Sequence, residues 1–433
     1  MTDAVSNPSF AEALPTWAKI GFVSFGGPAG QIALMHKILV DEKRWIDEQR
    51  FLTGLNFCML LPGPEAMQLA TYVGWRLHGI AGGLAAGLLF VLPGAALILA
   101  LALAYAQYGQ LDVAETVFLG VKAAVLAIVV EALLKVAKRA LKGPFDWALA
   151  AAAFVAIFAF AVPFPLVVIA AGLVGYVRGT SAPAPPALSL EPIRVPWQST
   201  ATTIALWLAI WLLPLVAIGA WAGPGHVLTE CAWLFSKLAV VTFGGAYAVL
   251  TYLAQEIVQT YGWLTTGEML DALGLAETTP GPLILVIEFV AVVAAWRHGG
   301  EPQFGMALLG GFVALWATFA PCFLWVFAGA PYVERLHSMP RLKAALAGIT
   351  AAVVGVIMNL TIWFALHVLF RSVGKWSFGP LQMELPDLLS LDPRAAVLSV
   401  LAFALLFGFN RGILQTLAMT ALAAVAWQFI VPR

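Results

Sequence analysis

Val23-Ser24-Phe25-Gly26-Gly27 is followed 218 residues later by Val241-Thr242-Phe243-Gly244-Gly245. The same offset relates Pro62-Gly63-Pro64 to Pro280-Gly281-Pro282. Both motifs lie in apolar stretches, where glycine and proline destabilise a continuous helix. Helix breaks at corresponding positions of two halves are typical of the binding site of a secondary transporter. We therefore predict two structural repeats, each with discontinuous helices.

The composition indicates a membrane protein. Of the 433 residues, 61% are hydrophobic and 11% are charged, whereas soluble domains carry about 25% charged residues. The apolar runs are continuous rather than alternating, which predicts an all-α polytopic protein and not a barrel. The net charge is zero, so nothing suggests a nucleic-acid partner. The expected partner is the lipid bilayer, and a homodimer is left open.

Apolar runs and turns predict about 13 helical segments. We assign residues 1–178 to the first repeat, 179–222 to a linker with one linker helix, and 223–433 to the second repeat. The predicted segments are 14–40, 51–75, 79–107, 114–134, 145–161, 164–178, 200–222, 226–252, 269–297, 304–330, 344–368, 393–409 and 411–429. The short last pair of each repeat has a re-entrant hairpin as its alternative.

The charges predict the topology. Six segments and a linker helix turn the second repeat upside down relative to the first, which gives inverted-topology repeats. The basic loop 135–142 is expected in the cytoplasm, and the loop 107–115, which has no Lys or Arg, is expected outside. The N-terminus is therefore predicted inside and the C-terminus outside. The start of the chain has no basic residue, so we expect no cleavable signal.

The breaks predict an anion site. A helix that restarts after Gly-Gly or Pro-Gly-Pro presents unpaired N–H groups and a positive dipole end. Four such ends, supplied by two repeats, would suit a tetrahedral oxyanion. The alternative is that the motifs only permit close packing and kinks. The predicted substrate-binding residues are Ser24, Phe25, Gly26, Gly27, Pro62, Gly63, Pro64, Lys122, Thr242, Phe243, Gly244, Gly245, Thr279, Pro280, Gly281 and Pro282.

Ionisable residues within or beside spans are candidates for coupling or gating. We name Glu65, Arg76, Lys237 and Arg297. For Glu65 the alternative is helix capping, for Lys237 it is snorkelling, and for the two arginines it is ion pairing or headgroup contact. For Lys122 the alternatives are snorkelling or an ion pair with Glu131.

Other buried or reactive residues give weaker signals. Glu277 and Glu288 are weaker candidates for coupling. The histidines and the three cysteines show no metal-ligand spacing, and we expect neither a metal nor a cofactor nor an enzymatic activity.

Phe25-Gly26-Gly27-Pro28 with Leu61-Pro62-Gly63-Pro64, together with their second copies, resembles the chromate ion transporter family. The similarity covers nearly the whole chain and corresponds to the long-chain form in which two homologous halves are fused. The resemblance implies a bacterial or archaeal inner-membrane protein that exports chromate, confers chromate resistance and is inhibited by sulfate. It also implies antiparallel halves and a driving potential or ion gradient rather than ATP.

Two alternatives to chromate export remain. One is a transporter of sulfate or another tetrahedral oxyanion, or an anion channel. The other is a membrane enzyme or scaffold acting on lipid phosphates, for which the sequence offers no nucleophile or metal set.

Overall fold

The computed structural model of the protein describes residues 8–109, 111–179, 196–243, 246–333 and 339–430. The chain forms two compact units, which are described separately. Unit 1 comprises Met1–Ala102, Arg178–Val249 and Thr279–Lys343, and unit 2 comprises Leu103–Val177, Leu250–Thr278 and Ala344–Arg433. Each unit therefore draws on both halves of the sequence.

The described residues form 16 α-helices. In the first half these are α1 Phe10–Val23, α2 Gly27–His36, α3 Glu48–Cys58, α4 Glu65–Tyr108, α5 Asp112–Ala140, α6 Pro144–Phe160 and α7 Phe164–Arg178. Then follow α8 Trp197–Ala222, α9 Val227–Val241, α10 Ala246–Gln255, α11 Thr266–Thr278, α12 Val286–His298, α13 Gln303–Gly329, α14 Pro340–Leu369, α15 Pro393–Phe403 and α16 Ile413–Ile430. A π-helical turn extends α2, α10 and α15, at Lys37–Glu42, Glu256–Thr260 and Ala404–Gly408.

Among the described residues, five helices are long and apolar enough to cross a membrane, namely Glu65–Tyr108, Asp112–Ala140, Trp197–Ala222, Gln303–Tyr332 and Pro340–Leu369. The prediction of an all-α, multi-pass membrane protein is confirmed. α8 occupies the place predicted for the linker helix. α6 and α7 have 17 and 15 residues, which is about 26 and 22 Å at 1.5 Å per residue. Both are shorter than the hydrocarbon core of about 30 Å.

The discontinuous helices are also confirmed. Each of the predicted segments 14–40, 51–75, 226–252 and 269–297 is divided in two at a Phe-Gly-Gly or Pro-Gly-Pro motif. α4 is one run that joins two predicted segments across a kink at His78 and Gly79, where the backbone leaves helical geometry.

In unit 1 the apolar helix α13 packs against α8, α9 and α12. The ring of Trp207 on α8 stacks on Phe323 with centroids 5.6 Å apart. The indole N–H of Trp211 donates to the carbonyl of Ala317 at 3.1 Å. These contacts bury the long hydrophobic helix inside protein rather than in lipid.

In unit 2 a helix of each sequence half packs on a helix of the other half, and the two contacts are equivalent. If Gly120 of α5 carried a side chain, its Cβ would lie 2.4 Å from the carbonyl oxygen of Thr420 on α16. A Cβ on Gly348 of α14 would lie 2.7 Å from the carbonyl oxygen of Ala171 on α7. Gly120 and Gly348 occupy corresponding positions of the two halves. The long helix of each repeat therefore packs closely on the last helix of the other, and only glycine permits that distance.

The sequence analysis did not predict a β-hairpin. Strands β1 Val373–Phe378 and β2 Leu381–Pro386 pair antiparallel, with Trp376 opposite Met383. Gly379 has φ +57° and precedes a proline, the pattern of a two-residue turn that begins with glycine. That Gly-Pro turn, flanked by aromatic residues, was the available signal.

Asp392 joins the base of the hairpin segment to α15. Its Oδ2 accepts from Nε and Nη2 of Arg371 at 3.1 and 3.0 Å. Its Oδ1 accepts from the backbone N–H of Arg394 at 2.9 Å, as an N-cap of α15. Burial raises the pKa of this carboxyl, but hydrogen bonds from the Arg394 N–H, Arg371 and the Ala395 N–H outweigh burial and leave the pKa below its usual value.

Replacing Asp392 by alanine is expected to destabilise the protein by about 0.5–2 kcal/mol, because the cap is lost. Asparagine can still cap the helix, so Asp392→Asn should reduce the stability less than Asp392→Ala does. Since folding depresses the pKa, the charged form's contribution is present above about pH 4 and is lost as the pH falls through the folded-state pKa. Thermal unfolding of the wild type and both variants from pH 7 downward tests this. A difference in unfolding temperature between the wild type and Asp392→Asn that widens on acidification would contradict it.

Candidate functional site

The break motifs of the two halves bind each other in unit 1. The backbone N–H of Gly63 donates to the carbonyl of Thr242 at 2.9 Å. The backbone N–H of Gly281 donates to the carbonyl of Ser24, also at 2.9 Å. Donors and acceptors are both related by the 218-residue offset. Each Pro-Gly-Pro is thus tied to the Phe-Gly-Gly segment of the other half, and the two links are equivalent.

Local chemistry explains why glycine makes these links. Proline has no N–H, so glycine is the only backbone donor within Pro-Gly-Pro. Gly63 and Gly281 have φ of +113° and +93°, in the region that favours glycine. Both glycines are buried. The motif therefore positions one buried donor, and the opposite half supplies its acceptor.

Ser24 and Thr242 contribute their carbonyl groups to the links rather than their hydroxyl groups. The Ser24 hydroxyl donates to the Ile20 carbonyl at 2.6 Å, and the Thr242 hydroxyl donates to the Leu238 carbonyl at 2.5 Å. Both side chains are fully buried. Each hydroxyl proton is thus bound to the preceding helical turn.

The start of α2 is the most open of the described breaks. Gly26 caps the helix with φ +85°, and a Cβ there would meet no atom within 4 Å. Pro28 follows in the first turn, and Phe25 is half-buried. The N–H groups of a first turn have no acceptor within their own helix, and they form a partial positive charge. Gly244 and Gly245, their counterparts in the second half, lie outside the described residues.

Two buried glutamines hold the breaks in place. Nε2 of Gln31 donates to the Gly281 carbonyl at 2.6 Å and lies 3.4 Å from the Ser24 carbonyl. Nε2 of Gln68 donates to the Pro62 carbonyl at 2.6 Å. The sequence analysis missed Gln31. Its counterpart at the 218-residue offset is Val249, and an amide in place of an apolar residue was a signal that could have identified it.

A glycine on α4 permits close contact with the second Pro-Gly-Pro. A Cβ on Gly94 would lie 2.1 Å from the carbonyl oxygen of Pro280 and 2.7 Å from Cδ1 of Leu285. The position of Pro280 therefore depends on the absence of a side chain at residue 94.

The four predicted coupling residues lie at varied positions in unit 1. Glu65 is half-buried and begins α4, where an acidic side chain complements the helix dipole. Arg76, Lys237 and Arg297 are exposed. Lys122 belongs to unit 2 and is described there.

Lys122 forms an ion pair that spans a long sequence distance. Its Nζ lies 2.9 Å from Oδ1 of Asp271, and the two side chains are 21% and 8% exposed. The hydroxyl of Tyr105 donates to Oδ2 of Asp271 at 2.7 Å. Glu131, the partner that the sequence suggested, instead lies 2.7 Å from Lys135. Neither Asp271 nor Tyr105 was predicted.

This ion pair lines a cavity of about 760 Å³ within unit 2. Acidic and basic groups share its wall, including Glu115, Glu268, Arg371 and Arg394. Within the described parts of the chain, the guanidinium of Arg394 makes no ion pair or hydrogen bond. The cavity thus offers room for a small ion, and its wall includes a guanidinium group, that of Arg394, without an ion pair to any described residue.

Comparisons with known proteins identify the family to which the chain belongs. A family model described as Chromate transporter matches residues 11–176 and 229–427. A chromate transport protein of Pseudomonas aeruginosa is 34% identical over 363 residues, which is 83% of this chain and 82% of that protein. One of Cupriavidus metallidurans is 30% identical over 366 residues, 80% of each chain. An uncharacterized transporter of Methanocaldococcus jannaschii is 26% identical over 405 residues, 93% of this chain and 95% of the other. No solved structure matches the chain.

Proposed function

Because this chain belongs to the chromate transporter family, we propose that it is a secondary transporter that exports chromate across the inner membrane by alternating access and confers chromate resistance. The relatives in Pseudomonas aeruginosa and Cupriavidus metallidurans are both named as chromate transport proteins. The chain's own role is to bind and move the anion, with no bond-making step and no cofactor.

The observation that carries the proposal is the reciprocal pair of hydrogen bonds between Gly63 and Thr242 and between Gly281 and Ser24. It brings breaks from both halves to one place in unit 1. The first turn of α2 adds N–H groups that no side chain caps and the positive end of a helix dipole. A doubly charged tetrahedral anion needs several such donors and no particular side-chain shape. Sulfate has nearly the same form, so we expect it to compete.

We further propose that residues 1–178 and 223–433 are inverted repeats, with the N-terminus in the cytoplasm and the C-terminus outside. An inside-negative potential then favours export of a dianion by roughly 5 kcal/mol per 100 mV, from about 2.3 kcal/mol per charge. In this scheme the exposed Arg76, Lys237 and Arg297 attract the anion, Glu65 acts in gating, and Lys122 binds the anion when its pair with Asp271 opens.

Chromate uptake into inside-out vesicles tests the proposal, with the potential varied and sulfate added as competitor. Uptake should rise with the potential, fall with sulfate and be lost in Gly26→Leu, because any side chain at φ +85° strains the start of α2. Gly223→Leu is the matched control, since Gly223 has φ +87° and also open space around a Cβ, but ends α8.

The outcomes separate substrate from site. No chromate flux from correctly inserted wild-type protein would overturn the substrate, and flux of sulfate alone would establish the alternative oxyanion. Chromate flux that survives in Gly26→Leu would keep the function and contradict the site.

A further inference from the structure

Glu288 is a buried carboxyl group that the proposed transport mechanism does not use. It lies on α12, within the predicted span 269–297, and is 1% exposed. Its Oε2 has no hydrogen-bond partner, and the side chain forms no ion pair, with any residue that the structure describes. An acid in such a place requires an explanation, because ionisable groups inside membrane helices are costly.

The side chain lies against apolar protein. A Cβ on Gly311 of α13 would be 3.6 Å from Cγ of Glu288 and 3.5 Å from Cδ1 of Leu99. α13, residues 303–329, contains no Asp, Glu, Lys, Arg or His, and neither do residues 80–102 of α4. Neither α13 nor this part of α4 therefore offers a cation to stabilise a carboxylate.

Among the residues that the structure describes, α9 and α12 itself do not supply one either. α9 packs against α12 and carries Glu230 and Lys237. α12 itself carries Arg297 and His298 at its exposed C-terminal end. Glu288 pairs with none of these. An uncompensated buried carboxylate would cost several kcal/mol, so in this conformation the group holds its proton.

Glu288 also lies close to the second break. It lies six residues after Pro282, on the helix that restarts after the second Pro-Gly-Pro. The corresponding residue of the first half, at the 218-residue offset, is Ala70, which is fully buried. The fold of a repeat therefore does not require an acid here, and any role of Glu288 belongs to one half only.

We propose that Glu288 is a proton-binding site that couples proton movement to the motion of the second break. The proton is held in the conformation described, and it is released when α12 moves and exposes the carboxyl group to water or a cation. The coupling step rests on the proposed transport function. The proton site itself does not.

Labelling with dicyclohexylcarbodiimide, which reacts with protonated carboxyl groups in apolar surroundings, tests the site without any substrate. Mass spectrometry of the full-length protein in liposomes should find the adduct on Glu288. Glu288→Asp should retain an adduct at residue 288, whereas Glu288→Gln should have none there. Absence of labelling at Glu288 in folded wild-type protein would overturn the proposal.

Coupling is measured in the same liposomes with an internal pH-sensitive dye during chromate transport driven by an imposed potential. Wild type should move protons with chromate. Glu288→Gln should reduce proton movement to the level of empty liposomes, and Glu288→Asp should restore part of it. Proton movement equal to wild type in Glu288→Gln would contradict coupling. Labelled Glu288 in a protein that moves no chromate would support the proton site while overturning the proposed substrate.

Discussion

Replacing Gly94 by alanine is expected to abolish transport, although the chain should still insert into the membrane. The new Cβ would lie 2.1 Å from the carbonyl oxygen of Pro280, a backbone atom that cannot turn away as a side chain can. Overpacking of this kind costs typically about 1–3 kcal/mol. We expect relief to come from displacement of Pro280-Gly281, which breaks the hydrogen bond to Ser24. Chromate uptake and amide hydrogen exchange of the peptide around Gly281 measure the two effects.

Gly219→Ala is the matched control for Gly94→Ala. Gly219 also lies within an apolar helix of unit 1, but the nearest atom to its Cβ would be Cγ2 of Thr229 at 3.5 Å, an ordinary contact. Alanine is a better helix former than glycine by about 1 kcal/mol, so this variant should transport normally. Normal transport by Gly94→Ala would show that the position of the second Pro-Gly-Pro does not matter for function.

Replacing Lys122 by methionine is expected to be the most destabilising change in unit 2. It leaves the carboxylate of Asp271, 8% exposed, with the Tyr105 hydroxyl but without its cation. Removing one partner of a buried pair costs about 3–5 kcal/mol. The double variant Lys122→Met/Asp271→Leu should recover most of this loss, because no buried charge is left unpaired. Thermal unfolding of the wild type, the two single variants and the double variant gives the interaction energy between Lys122 and Asp271.

A second lysine on α5 provides the comparison. Lys135 lies 2.7 Å from Glu131, but the two side chains are 62% and 24% exposed. Exposed pairs contribute at most about 1 kcal/mol, so Lys135→Met should change the unfolding temperature little. A double variant at Lys122 and Asp271 that is as unstable as Lys122→Met alone would show that the ion pair is not what stabilises this part of unit 2.

The residues that were predicted and those that were missed differ in one respect. The breaks follow from residues acting on their own backbone: proline lacks a donor, and glycine accepts a positive φ. Those effects can be predicted at Gly26, Gly63 and Gly281 from the local sequence alone. Asp271 was missed because it lies 149 residues after Lys122, whereas Glu131 is near in sequence. Gln31 was missed because its role exists only where Gly281 of the other half lies beside it.

By itself, the sequence determined the class of protein, the presence of two repeats and the positions of the four breaks. Those features depend on apolar content, periodicity and local backbone chemistry, which each short segment carries with it. Only the tertiary structure decided that each Pro-Gly-Pro binds the Phe-Gly-Gly segment of the opposite half and that Lys122 pairs with Asp271. It also decided that Glu288 has no partner among the residues that the structure describes. Such choices depend on which distant segments pack together, and packing is a property of the whole fold.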